Sequence, residues 1–190
     1  NAKALRGSGN SVTIVGRNLD QKPTEEVSDG LRISRLPRTN GLPRALQSLV
    51  NMPFWFNPVW LYTIFKAIKG FQKPIIIVRD LPLVRAATVI ARFRQAKVVL
   101  DMAEVYPEMY RSSAQYSDRS WLESIIKNPR IAENYEKAVL PRVDHILVMI
   151  EESRDRLRAM GIPKEKITII SNTPPLDKFH GERHRHTGEI

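Results

Sequence analysis

Apolar positions along this chain fall into two rhythms, short unbroken runs and stripes with helical spacing, and the two alternate nearly from end to end. Residues 1–7 read as the end of a helix with Gly7 as its C-cap, and residues 11–16 (SVTIVG) as a strand. Residues 17–30 are polar, contain Pro23 and Gly30, and read as a loop. Residues 31–36 alternate Leu31, Ile33 and Leu36 with Arg32, Ser34 and Arg35, the pattern of an exposed or edge strand. After a loop at residues 37–43, residues 44–72 read as helical, broken at Pro53 and Pro58. Beyond the second proline Leu61, Ile64, Phe65 and Ile68 form an apolar stripe, with Lys66 and Lys69 beside it and Gly70 closing it.

Residues 75–78 (IIIV) read as a buried strand ending in Arg79-Asp80, and Leu83, Ala86, Ala87 and Ile90 give the next helix its apolar face. The most informative stretch is KVVLDMAEVYPEMY, residues 97–110. It starts as an aliphatic strand at Val98, Val99 and Leu100, then turns acidic and irregular at Asp101, Glu104, Pro107 and Glu108. Residues 119–140 read as one or two helices with a break at Asn128-Pro129; the expected apolar faces are Leu122, Ile125 and Ile126, then Ile131, Tyr135 and Ala138. Asp144 precedes a strand at residues 145–150. A helix at residues 151–160 closes at Gly161, and a last strand at residues 167–170 ends in Ser171-Asn172. From His180 the chain is polar and without period, the pattern of a linker or disordered end.

Strands that alternate with helices predict an α/β fold, a Rossmann-like parallel sheet flanked by helices on both faces. In such a sheet ligands bind just outside the carboxyl ends of the strands. The ends at Arg79-Asp80, Asp101 to Glu108 and Ser171-Asn172 would then share one rim. Because the chain opens on a helix end, a first strand and its loop are expected upstream.

Composition narrows the function classes. There are no cysteines, so disulfide and thiolate chemistry are excluded. No apolar stretch approaches a bilayer span, and no signal peptide is visible. The formal net charge of +10 favours anionic partners: phosphates, anionic lipid or nucleic acid. No RNA-binding motif, zinc spacing or basic helical array supports nucleic acid. Aromatic residues Trp55, Phe56 and Trp60 near Lys66 and Lys69 form a candidate contact with a membrane surface, or else a core-packing helix under a loop.

Several rim residues have two readings. Asp101 and Glu104 can accept hydrogen bonds from substrate hydroxyls, or Asp101 can bind amides of its own turn. Arg79 can meet a phosphate or form an ion pair with Asp80 or Asp101, and the ion pair is the favoured reading. Glu108 can equally serve as a first-turn residue at a helix N-terminus. His180, His184 and His186 have a spacing seen in metal sites, but a polar tail is the simpler reading, and no metal is expected.

Three segments carry a resemblance. VVLDMAEVYPE resembles a strand-and-turn pattern, often Asp-x-His-Glu-x-x-Pro, with Asp101, Glu104 and Pro107 in place and Ala103 where the histidine stands. PIIIVRDLP resembles the strand before it. The block from Tyr135 to Phe179 places Asp144, Gly161, Lys166, Ile167, Asn172 and Phe179 at matching spacings. Together they resemble the N-terminal, acceptor-side Rossmann-like domain of a GT-B glycosyltransferase of the family 4 type, over residues 1–179. Residues 180–190 would be the linker or disordered end.

The resemblance implies half of a retaining, nucleotide-sugar-dependent hexosyltransferase acting in cell-surface polysaccharide or glycolipid synthesis. The nucleotide-sugar donor would sit on a C-terminal domain absent from these residues, so the fragment alone is expected to be inactive and to hold no cofactor. It implies a sugar or lipid-linked acceptor on this half, with Glu104, Asp101, Tyr106, Arg79 and Asp80 as contact residues. It also implies a cytoplasmic protein, peripheral at the inner face of the plasma membrane. The alternative is a stand-alone α/β nucleotide- or phosphate-binding module, which would need a Gly-rich loop after a strand.

Overall fold

The computed structural model describes residues 2–53, 57–114 and 127–170. Helix α1 (Ala2–Gly7) is followed by β1 (Thr13–Gly16), β2 (Glu25–Ser28) and β3 (Leu31–Arg35), then by helices α2 (Arg44–Asn51) and α3 (Pro58–Ile68). Next come β4 (Ile75–Arg79), a 3-10 turn at Leu81–Leu83, α4 (Val84–Arg94), β5 (Lys97–Met102) and α5 (Tyr106–Ala114). The remainder is α6 (Pro129–Val139), a 3-10 turn at Leu140–Arg142, β6 (His145–Val148), α7 (Glu151–Ala159) and β7 (Ile167–Ile169).

Strands β4, β5, β6 and β7 lie side by side in that order, all parallel, joined by helical crossovers. This is the α/β arrangement that the alternation predicts. Apolar residues of the sheet and its helices, among them Val78, Leu100, Leu140, Ile146, Val148 and Leu157, form one cluster. Local signals fix the helix ends. Asn128 Oδ1 accepts from the N–H of Arg130 at 2.9 Å, with Pro129 as first helical residue of α6. Gly161, at φ 86°, closes α7: its N–H bonds to Arg158 O, and that of Ile162 to Leu157 O.

The first three strands form a second sheet in the order β1-β3-β2. Residues 17–30, expected to be a loop, contain β2, which pairs antiparallel with β3. Asp29 and Gly30 both have positive φ (49° and 70°), as a type I′ hairpin turn requires. Strand β3 is therefore central, not an edge. Its polar side chains find partners on β2: Arg35 pairs with Glu26 at 2.7 Å, and Ser34 Oγ donates to Glu25 Oε1 at 3.1 Å. Conversely, β4 is an edge strand among the described residues, and Ile75 and Ile77 stay exposed, against the buried strand expected.

Helix α3 joins the two sheets. Asn57 Oδ1 caps it through the N–H of Val59 at 3.0 Å. Its buried face is Trp60, Thr63, Ile64, Ala67 and Ile68, and Phe65 is exposed beside the Arg94 guanidinium. The expected stripe is thus rotated by about one position. Trp60, read either as a membrane contact or as part of a core-packing helix, is only 4% exposed and packs with Leu36, Ile64, Ile68, Ala86 and Ile90, as the core reading has it. Val15 of β1 and Ile76 of β4 pack against this same cluster. Helix α6 is rotated likewise: Ala132, Glu136 and Val139 face inward, while Ile131 and Ala138 are exposed.

Candidate functional site

The carboxyl ends of β4 and β5 are locked together. Parallel pairing sets Arg79 opposite Asp101. Arg79 Nη1 donates to Asp101 Oδ2 at 2.9 Å, and its Nε lies 3.9 Å from Asp80 Oδ2. Of the two readings of Arg79, the structure has the ion pair.

Asp80 takes an unusual backbone conformation, φ 64° and ψ 171°. Such a geometry costs a residue with a side chain about 1–3 kcal/mol and persists only where its surroundings enforce it. Here two bonds do so. The Asp80 N–H donates to Asp101 O at 3.0 Å, and Asp80 Oδ1 accepts from the Ala103 N–H at 3.2 Å. The turn after β5 is thus pinned to the turn after β4, and Glu104 follows directly.

Tyr106 opens α5 with its ring edge-to-face on Tyr110, centroids 5.6 Å apart. Burial raises its hydroxyl pKa to about 12; the negative charges of Asp80 and Glu104 and the Tyr110 phenol add to the rise, and Arg17 opposes it. Arg17, the residue just beyond β1, therefore stands within electrostatic reach of the same turn. Neither Glu104 nor Arg17 makes a hydrogen bond or ion pair among the described residues, and both are exposed. Glu108 sits in the first turn of α5 and pairs with Arg111 at 3.1 Å.

The rim thus brings together Arg79, Asp80, Asp101, Glu104 and Tyr106, all expected from the sequence as contact residues. It adds Arg17, which sequence reasoning missed. Arg17 sits in a polar segment, and its place at a strand end is the one signal that singles it out. Ser171 and Asn172 lie outside the described residues, as do Trp55, Phe56 and the three tail histidines. Lys66 is engaged with Glu25 at 3.0 Å, and Lys69 is exposed at the end of α3.

Chemically, the rim offers a carboxylate and a cation that have no ion pair among the described residues, and a phenol that keeps its proton. These suit hydrogen bonds from hydroxyl groups and attraction of an anion. Among the described residues no group of three or more His, Asp or Glu side chains is placed to hold a metal ion, and no helix is long and apolar enough to cross a membrane.

Residues 1–173 match the family model of a glycosyl transferase 4-like domain. No curated protein matches the chain.

Proposed function

The chain belongs to the glycosyl transferase 4-like domain family, and from that premise we propose that it forms the acceptor-side half of a retaining, nucleotide-sugar-dependent glycosyltransferase. The observation that carries this reading beyond family membership is Glu104: an exposed carboxylate without a partner among the described residues, in a turn clipped to Asp80, whose own backbone takes a costly conformation. Strained backbone of this kind concentrates at binding and catalytic sites.

In this reading Glu104 accepts a hydrogen bond from a sugar or lipid-linked acceptor and orients the attacking hydroxyl. Tyr106 stays protonated at neutral pH and donates to an acceptor oxygen. Asp101 is spent on Arg79 and acts as a brace. Arg17 attracts the anionic end of the donor, whose nucleotide would be held by a second domain. Among the described residues β1 and β4 each form the edge of their own sheet. Surface polysaccharide or glycolipid synthesis is the process that suits such an acceptor. The alternative phosphate-binding module is the weaker reading, because no Gly-rich loop follows a strand among the described residues.

The test is transfer by the full-length protein from a panel of nucleotide sugars. Glu104→Gln is expected to lower kcat/KM by about a hundredfold, the usual loss for one contact that matters in the transition state, with the melting temperature unchanged. An absence of turnover with every donor, or a Glu104→Gln variant at full rate, would overturn the reading.

A further inference from the structure

A groove of about 300 Å³ opens between α2 and the segment that leaves β1, at the small end of the range for small-molecule sites. Its helix wall is polar: Arg44, Gln47, Ser48 and Asn51 recur at i, i+3, i+4 and i+7 along α2. Leu19 and Gln21 form the opposite wall. The two walls are clamped to each other. Asn51 Oδ1 accepts from the Asn18 N–H at 3.2 Å, and the buried Asn18 side chain donates to the carbonyls of Lys22 and Leu36 at 2.9 and 3.1 Å. Gln21 is held at φ 53° with both ends of its amide on Thr39: its Nε2 donates to Thr39 Oγ1 at 3.0 Å, and its Oε1 accepts the Thr39 N–H at 2.8 Å. The groove is therefore organised before any ligand arrives.

The residues that line it have bonding capacity left. Among the described residues the Arg44 guanidinium and the Ser48 hydroxyl have no hydrogen bond or ion pair, and both residues are exposed. Gln47 uses its Nε2 on the Leu42 carbonyl at 2.8 Å, which leaves its Oε1 as an acceptor. Leu19, 67% exposed, adds an apolar lip. A cation, a hydroxyl, an amide oxygen and one aliphatic side chain are complementary to a hydroxyl-rich ring that bears an acid. No aromatic ring among the lining residues could stack a nucleobase, which argues against a nucleotide.

Charge and position narrow the ligand further. Between Gly30 and Arg79 the chain has seven Lys or Arg and no Asp or Glu. Asp20, which stands between the two residues of the opposite wall, lies 3.4 Å from the Lys22 ammonium. Arg44 therefore presents a cation that no carboxylate of its own segment offsets. Arg17 of the rim is two residues before Leu19, so chain reach keeps their Cα atoms within about 7 Å. The groove thus adjoins the rim at Arg17.

We propose that the groove binds an acidic saccharide unit, with its carboxylate on Arg44, its hydroxyls on Ser48 and Gln47 and its apolar edge on Leu19. The proposal rests on the transferase reading in one respect, that this saccharide is part of the acceptor whose attacking hydroxyl reaches Glu104. Binding in the groove itself needs no donor. An acceptor of this class carries a uronic acid next to the sugar that is extended.

The experiment is calorimetric titration of the full-length protein, without donor, with two acidic disaccharides: digalacturonate and the glucuronate-containing disaccharide of hyaluronan. At least one is expected to bind saturably, and its methyl ester about tenfold more weakly, the loss expected of one charge-assisted contact. Arg44→Gln is expected to weaken the acid about tenfold and leave the ester unchanged, at an unchanged melting temperature. Ser48→Phe, which fills the groove from an exposed position, is expected to weaken acid and ester alike. No saturable binding, an ester that binds as well as the acid, full affinity in Arg44→Gln or in Ser48→Phe, or inorganic phosphate that displaces the disaccharide at equal concentration would overturn the proposal. Saturable, Arg44-dependent binding by a protein that transfers no sugar from any donor would support the groove and overturn the transferase reading. Turnover by a protein that binds neither disaccharide would do the reverse.

Discussion

Arg79 and Asp101 occupy matching positions on adjacent parallel strands, and the guanidinium of one donates to the carboxylate of the other at 2.9 Å. The Arg79 side chain is 57% exposed, so water screens the pair. Exposed pairs of this kind contribute about 0–1 kcal/mol. Asp101→Asn and Arg79→Ala are therefore expected to lower stability by about 1 kcal/mol or less each, with a double-mutant coupling inside that range. Urea denaturation measures this. A coupling above about 2 kcal/mol would mean the pair is far less screened than its exposure indicates.

Asp80 combines a positive φ with a side chain that accepts the Ala103 N–H, and substitutions separate the two. Asn keeps an acceptor oxygen and tolerates positive φ. Gly relieves the backbone but leaves the N–H without its acceptor. Ala keeps the strain and loses the acceptor, so Asp80→Ala is expected to cost most, about 1–3 kcal/mol. The expected order of stability is Asp, Asn, Gly, Ala. If Asp80→Ala equals the parent in denaturant midpoint, the clip between the two turns contributes nothing.

The parts of the fold legible in the sequence are those where one local signal decides. Strand β5 with its acidic exit, the Asn128-Pro129 start of α6 and the Gly161 stop of α7 are all of this kind. The hairpin was missed although Asp29-Gly30 is its turn signature, because the charged β2 lacks the alternation that marks a strand. The buried faces of α3 and α6 came out about one position off. A helical stripe gives the spacing of core residues, while its rotation is set by what packs against it. Trp60 turns inward, in keeping with the core-packing one of its two readings. At the site, the strand-end rule found Asp101 and Glu104, but Arg17 required the tertiary fold, which brings the end of β1 toward the turn before Tyr106.

The raised pKa of Tyr106 makes a statement about alkaline pH. Its phenol titrates at about 12 when folded, chiefly through burial, and Tyr135 reaches about 12 for the same first reason. An unfolded tyrosine titrates near pH 10. Between those values the native state holds more protons than the unfolded one, so stability falls as pH rises. The contribution is complete below about pH 10 and is lost toward pH 12. Tyrosinate absorbance should show late-titrating tyrosines in the folded chain, and Tyr106→Phe should flatten the alkaline fall in stability. A tyrosine population titrating uniformly near pH 10 in the folded chain would contradict the burial of both rings.

Glu136 is the most consequential charge in the core. It is fully buried on α6, and its two carboxylate oxygens accept from Arg156 Nη1 and Nη2 on α7 at 2.9 and 2.5 Å. Hydrogen bonding to Glu136 is the main cause that raises the Arg156 pKa further. A planar fork on a carboxylate is a geometry that lysine cannot reproduce. Removing one member strands the other, so Glu136→Gln is expected to cost about 3 kcal/mol, and Arg156→Lys a substantial part of that. Replacing both, as in Glu136→Leu with Arg156→Met, removes the two charges together and is expected to cost less than either single change to an apolar residue. Denaturant midpoints of the double variant and of Glu136→Leu and Arg156→Met alone decide it. A double variant less stable than the sum of the single changes would show that the helices are joined through more than this pair.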